Sequence, residues 1–375
     1  MVLVVVTWIV LIHGWFHITN PYASASVVER PNSTSVLSSG DIVAKREFKL
    51  QTWDGPVAET LGYYKSGFLI VQNAYFGSYL APSSSADNII RDIHKLRFDP
   101  SKPYLISGDQ FSVLYTRNLG VFYNSLLDPH TAHDQKDWEN RQRIYLQSVL
   151  YALDAFSAAD NLTTTIVPVG PKQAVLTQVH PGSVASDTLY GLLYALQALQ
   201  DASKVNDTPY RLQTVKAAQE ITQKRRNDLA RLLNIYLDQV RDPSTGMIRP
   251  HLDLASARDG VVRDRSFYDT IVLWKTLALA KQLGIPMPDV DLTAMRQQII
   301  QTYWDDKEGH FKDDLIAKPA NANYSSDWLL AIPTGFLQPD DSNDQKYLTR
   351  SVDFVRKQGI AKPFPIKYQA TNAHV

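Results

Sequence analysis

From Tyr104 onward two unlike kinds of helix alternate along this chain, and that alternation restricts its possible folds more than any other feature. One kind carries a charged face: "DWENRQRIYLQSVLYALDAF" from Asp137, "YRLQTVKAAQEITQKRRNDLARLLNIYLDQV" from Tyr210, "LTAMRQQIIQTYW" from Leu292 and "NDQKYLTRSVDFVRKQG" from Asn343. Such helices face water on one side. The other kind is apolar nearly all round: "FSVLYTRNLGVFYNSLL" from Phe111, "TLYGLLYALQAL" from Thr188, "TIVLWKTLALAKQLG" from Thr270 and "WLLAIPTGF" from Trp328. A helix apolar on every face must be surrounded by other helices. The expected fold class is all-α, with outer and inner helices paired into about four hairpins.

A repeated turn supports the pairing. The outer helices end at Asp160, Asp242 and Asp305, and the last two share Asp, Gly four residues on, and an apolar residue two further (Gly246 and Ile248; Gly309 and Phe311). Each inner segment then opens with an aspartate: Asp109, Asp187, Asp269 and Asp327. Asp160 to Asp187 and Asp242 to Asp269 are each 27 residues apart, and Asp305 to Asp327 is 22.

An aspartate at a helix start accepts from unpaired amides and meets the positive end of the macrodipole, a capping role that accounts for each one singly. If the inner helices run parallel, however, all four carboxylates gather at one mouth. Mutual repulsion and burial there raise some acids toward the range of a general acid. Arg117 and Arg263 or Arg265 are candidates to balance the charge. Tyr115, Tyr190, Tyr268, Tyr324 and Trp328 border the same mouth, with Trp274 one turn deeper. Flat rings beside hydrogen-bonding acids suit a sugar, although core packing is the ordinary use of each ring.

Paired helices, Asp-x-x-x-Gly-x-apolar turns and an early Gly-Asp helix followed by aromatic-x-Arg resemble the six-hairpin, (α/α)6-toroid glycosidases. That group includes glucoamylases, trehalases, processing glucosidases and exo-acting α-1,6-mannosidases. "ISGDQFSVLYTRN" is similar in layout to the mannosidase segment whose acid and arginine contact the terminal sugar. It departs from it in having Tyr115 as the aromatic, a spacing longer by one, and Asn118 in place of an Asp. The resemblance spans Tyr104 to Gly359 at the level of architecture, as an incomplete toroid lacking two hairpins, which marks a truncated product, a ring closed differently, or a lost activity.

The resemblance implies inverting hydrolysis, in which one carboxylic acid protonates the glycosidic oxygen while a second carboxylate, about 6.5–9.5 Å away, activates water. Asp269 is the first choice for the general acid and Asp327 the second. Asp109, Arg117, Tyr115, Asp187, Tyr190, Arg265, Tyr268 and Trp328 would bind the substrate. No residue is assigned as base; Glu308 lies in a turn of solvated character.

The first 25 residues, "MVLVVVTWIVLIHGWFHITNPYASA", have the apolar run and small-x-small end of an export signal, with an uncleaved anchor as the alternative. The expected location is extracytoplasmic: secreted or held at the cell surface. Residues 26–40 form a Ser-rich linker, 41–103 a mixed α/β lead-in segment, and 104–375 the glycosidase-like domain. Basic and acidic residues balance at 38 each, which argues against nucleic acid as a partner and favours an oligosaccharide or polysaccharide. Membrane contact would come only through an uncleaved N-terminus, and the expected state is a monomer. The chain has no cysteine, and its one His-x-x-x-His pair, His13 and His17, falls inside the apolar N-terminal run, so neither a metal nor a cofactor is expected. Two other functions fit the sequence: a non-catalytic carbohydrate-binding scaffold, and a polysaccharide lyase using Tyr268 or His180 as base.

Overall fold

The computed structural model describes residues 48–50, 105, 113–120, 132, 134–170, 172–178, 182–201, 209–255, 264–316 and 325–359. These are mostly helical with few strands. The N-terminal signal, the linker, most of the lead-in segment, Asp109, Arg263, Tyr324 and His180 lie outside them. Among the described residues no helix is long and apolar enough to cross a membrane.

Helix α1, Gln135–Ala159, starts where Asp134 accepts from the Asp137 amide and stops at Asp160, which sits in the left-handed region at φ 51°. Two antiparallel strands follow, β2 at Thr165–Gly170 and β3 at Gln173–Thr177. Lys49–Leu50, β1, pairs parallel with β3, and Phe48 packs edge-on against Tyr151 of α1 at 5.2 Å. The lead-in segment is thus fastened to the helical body at this point. This small sheet was not anticipated by a helices-only reading; its Val, Ile and Thr content suits strands.

Two of the four inner segments are α-helices. Thr188–Gln200, α2, follows the short strand β4 (Val184–Ala185), which pairs parallel with β5 (Leu254–Ala255). Phe267–Gln282, α5, packs against α2. Between them in sequence, the long outer helix expected from Tyr210 is broken into α3, Pro209–Lys224, and α4, Arg226–Val240. Arg225 stands at the joint with its amide still bonded to Ile221, so the break is a kink. Its guanidinium reaches Asp154 on α1 at 2.5 Å and Asp228 on α4 at 2.6 Å, tertiary contacts that reward the bend.

Among the described residues of the first inner segment, 113–120, and of the fourth, no α-helix forms. Leu114 forms an isolated bridge with Ile166, and Thr116–Leu119 is a single 3-10 turn. Val113, Tyr115 and Thr116 favour extended backbone, and the bridge to β2 uses it. Asp327–Ala331 is likewise a 3-10 turn, cut short by Pro333 two residues beyond its end, which cannot donate to a continuing helix.

The turns that end the outer helices do repeat. The Asp242 carbonyl accepts from Gly246 at 2.7 Å and the Asp305 carbonyl from Gly309 at 2.7 Å, with both glycines at positive φ. The apolar residue two further on pairs back onto the end of its helix, as Arg241 with Ile248 and, in the ribbon β6 (Trp304–Asp305) and β7 (His310–Phe311), as Trp304 with Phe311. Helix α6, Leu292–Tyr303, lies against α5, and α7, Ser342–Lys357, against β7. One apolar core runs through α1, α2, α4, α5 and α6.

Candidate functional site

The site grows from the heads of α2 and α5. Asp187 stands at the N-cap of α2 with no capping bond from its side chain. At α5 the cap is Ser266, whose hydroxyl accepts from the Asp269 amide at 3.0 Å; Asp269 itself lies in the first turn. Ser266-x-x-Asp269 has the spacing of a reciprocal cap, and the Ser266 hydroxyl donates to the second Asp269 carboxylate oxygen.

The two heads are cross-linked. Ser186 Oγ donates to Asp269 Oδ1 at 2.5 Å, while Tyr268 Oη donates to Asp187 Oδ2 at 3.2 Å. Neighbouring residues of one helix head thus bond to neighbouring residues of the other. The Ser186 carbonyl is held in turn by Tyr236 Oη from α4 at 2.9 Å. Asp187 and Asp269 are both 0% exposed.

Three buried phenols report the electrostatics of this patch. Burial first, and then Asp187 and Asp269, push Tyr268 well above the usual tyrosine range, while Arg117 pulls the other way. Tyr236 is raised by burial against a hydrogen bond with Thr276, and further by Asp269 and Asp187. Tyr190 is raised by burial, then by Tyr194 and Asp187. Tyr268 also responds to Tyr190, so Asp187, Tyr190, Tyr268 and Arg117 are electrostatic neighbours. Arg117 lies over the Tyr115 ring at 5.2 Å on the 3-10 turn, and that turn is pressed onto α2. A Cβ on Gly191 would overlap the Thr116 carbonyl oxygen.

Asp313 and Asp314, also at the head of α5, are buried. The Asp313 carbonyl accepts from the Phe267 amide at 2.8 Å, and its carboxylate from Ser325 Oγ at 2.7 Å; Ser325 Oγ also accepts from the Asp327 amide at 3.1 Å. Asp327 is partly exposed, whereas Trp328 beside it is buried in the core.

Of the residues expected from sequence, the structure brings Asp187, Asp269, Tyr268, Tyr190 and Arg117, with Tyr115, into one neighbourhood. The Asp327 backbone amide, not its carboxylate, is tied toward the head of α5, through Ser325 and Asp313. Arg265 turns to a different set: it is at φ 50°, its Nε is 3.5 Å from Asp264, and its carbonyl accepts from Tyr303 Oη at 2.5 Å. Trp274 is a core residue, its indole donating to the Leu292 carbonyl at 3.0 Å and packing edge-on against Phe336. Sequence reasoning missed Ser186, Ser266, Tyr236 and Asp313. The Ser266-x-x-Asp269 spacing was a legible sign for one of them; the others depend on tertiary approach. Among the described residues no cluster of His, Asp or Glu has the arrangement of a metal site.

No protein-family model matches the chain, and no curated protein matches it. Among solved structures, a rhamnosidase from Klebsiella oxytoca with rhamnose bound is similar at 14% identity and a TM-score of 0.43, over 77% of this chain and 50% of that one. The chain thus spans half the length of that rhamnosidase.

Proposed function

We propose that this is an exported carbohydrate-active protein of glycoside-hydrolase type, which cleaves an α-linked oligosaccharide or cell-envelope glycan with inversion. The observation that carries the reading is the crossed pairing of Ser186–Asp187 with Tyr268–Asp269. It gathers two carboxylates, several phenols and the Arg117 cation where two core helices begin, and hydrogen-bonding groups of both kinds beside aromatic rings suit a hydroxyl-rich ligand. Within this reading Asp327, which keeps partial exposure, is the general acid. Asp269 accepts from serine hydroxyls at both oxygens and acts as a positioning residue for Ser186 and the Asp187 cap. Tyr115, Arg117, Asp187 and Tyr190 hold sugar hydroxyls. A lyase gains no support from Tyr268, because burial and two nearby carboxylates keep its phenol protonated, the reverse of what a base requires.

The test is sugar release from aryl α-mannosides, α-glucosides and α-rhamnosides by the full chain. Loss of a general acid lowers kcat about 100-fold or more. Asp327→Asn is therefore expected to lower kcat by that much with Tm unchanged, whereas Asp269→Asn lowers Tm together with activity. Undiminished release by Asp327→Asn would remove Asp327 from the mechanism. A second reading, sugar binding without cleavage, is favoured by the engagement of both Asp269 oxygens inside the core. Binding of a sugar that is never released from its glycoside would establish it.

A further inference from the structure

We propose a second ligand site, built from other residues, for a small zwitterion: an α-amino acid with an apolar side chain, its ammonium on Glu308 and its carboxylate on Lys357. The site is the cleft between the turn at residues 305–309 and the C-terminal half of α7, and it stands independently of the sugar-binding reading above.

The cleft has a volume of about 260 Å³, below the roughly 300–1,000 Å³ of pockets that take drug-sized ligands, so its occupant is small. The turn supplies Glu308 and Gly309, and α7 supplies Arg350, Asp353, Phe354 and Lys357. Its floor and one edge are fixed. Phe354 is 5% exposed and lies edge-on to the buried His310 ring at 3.9 Å. Arg350 Nη1 donates to Asp306 Oδ1 at 2.6 Å and Nη2 to the Asp306 carbonyl, while the guanidinium lies over the Trp304 ring. It rests so closely on the turn that a Cβ on Gly309 would sit 3.0 Å from its Nε. The backbone of Glu308 is set as well, because its amide and that of Lys307 donate to Asp305 Oδ1 at 3.0 and 3.1 Å.

The charges left over select the ligand. Arg350 is committed to Asp306, and Asp353 has an exposed partner in Arg356 at 3.8 Å. Among the described residues the Glu308 carboxylate and the Lys357 ammonium have no partner, although both border this cleft. An anion alone would answer Lys357 and be repelled by Glu308, a cation alone would do the reverse, and a neutral sugar would answer neither. A zwitterion carries both charges on neighbouring groups, satisfies both side chains with charge-assisted hydrogen bonds, and sets its own side chain on Phe354.

Calorimetric titration of the full chain at low ionic strength with L-leucine, N-acetyl-L-leucine, L-leucinamide and D-mannose tests this. L-leucine is expected to bind, and each capped form to bind about threefold or more weakly, the scale of one exposed ion pair. The first capped form lacks the ammonium and the second the carboxylate. Glu308→Gln is expected to weaken L-leucine by the same factor and leave N-acetyl-L-leucine as it was; Lys357→Gln is expected to weaken L-leucine and leave L-leucinamide as it was. Both side chains are exposed, so Tm is expected to hold, and should a variant fail to fold, the capped forms on the unaltered chain still decide. No saturable binding of L-leucine, equal binding of the capped forms, or wild-type affinity in both variants would overturn the proposal. D-mannose binding that weakens in either variant would make the cleft a sugar site and overturn it too.

Discussion

At the scale of single residues, close approach and burial decide what can be changed. Gly191 has a negative φ, so the constraint on it is space: any Cβ runs into backbone of the Thr116–Leu119 turn, which has no side chain to move aside. Overpacking against backbone lies at the severe end of single-residue effects. Gly191→Ala is therefore expected to lose about 3 kcal/mol or more in chemical denaturation. Ser186→Ala removes the donor to Asp269 Oδ1 and leaves a buried carboxylate oxygen short of a bond, an expected loss of about 1–3 kcal/mol by the same measurement. His310, 2% exposed against Phe354, is held down to about pKa 3, chiefly by burial. Its folded value lies below its unfolded value of about 6.5, so between those two the unfolded chain binds the extra proton. Stability from this residue is full above about pH 6.5 and is lost as pH falls toward 3. Replacing it by His310→Gln should flatten the pH dependence of Tm across that window.

At the scale of elements, caps and pairings set where helices begin and bend. Asp291 accepts from the Thr293 and Ala294 amides at the head of α6, so Asp291→Ala is expected to cost about 1 kcal/mol in denaturant unfolding. Asp154→Asn removes one of two carboxylates on the largely buried Arg225, and the joint between α3 and α4 is expected to weaken by about 2 kcal/mol. The kink was illegible in sequence because Arg is a good helix former, and its cause is a residue 71 positions away. The segments from Thr188 and Thr270 were legible as helices because nothing in them competes with a buried helix. The Phe111 segment was not, since its β-branched and aromatic residues serve a bridge to Ile166 that no local pattern reveals. The Trp328 segment carried its own warning in Pro333.

At the scale of the whole molecule, the sequence made the largely helical class and the repeated turns after α4 and α6 legible. Both follow from spacing: apolar periodicity and the Asp-to-Gly interval each encode geometry directly. The roles within the site were less legible, because they depend on which side chain arrives from elsewhere. Asp269 looked like a free acid until Ser186, 83 residues distant, occupied one of its oxygens. The central claim is that the heads of α2 and α5 form a single ligand site. Crystals of the protein soaked with a neutral α-linked disaccharide test it most directly. The account predicts a sugar ring within hydrogen-bond distance of both Asp187 and the Tyr190 hydroxyl, and a sugar bound only at a site that touches neither would contradict it.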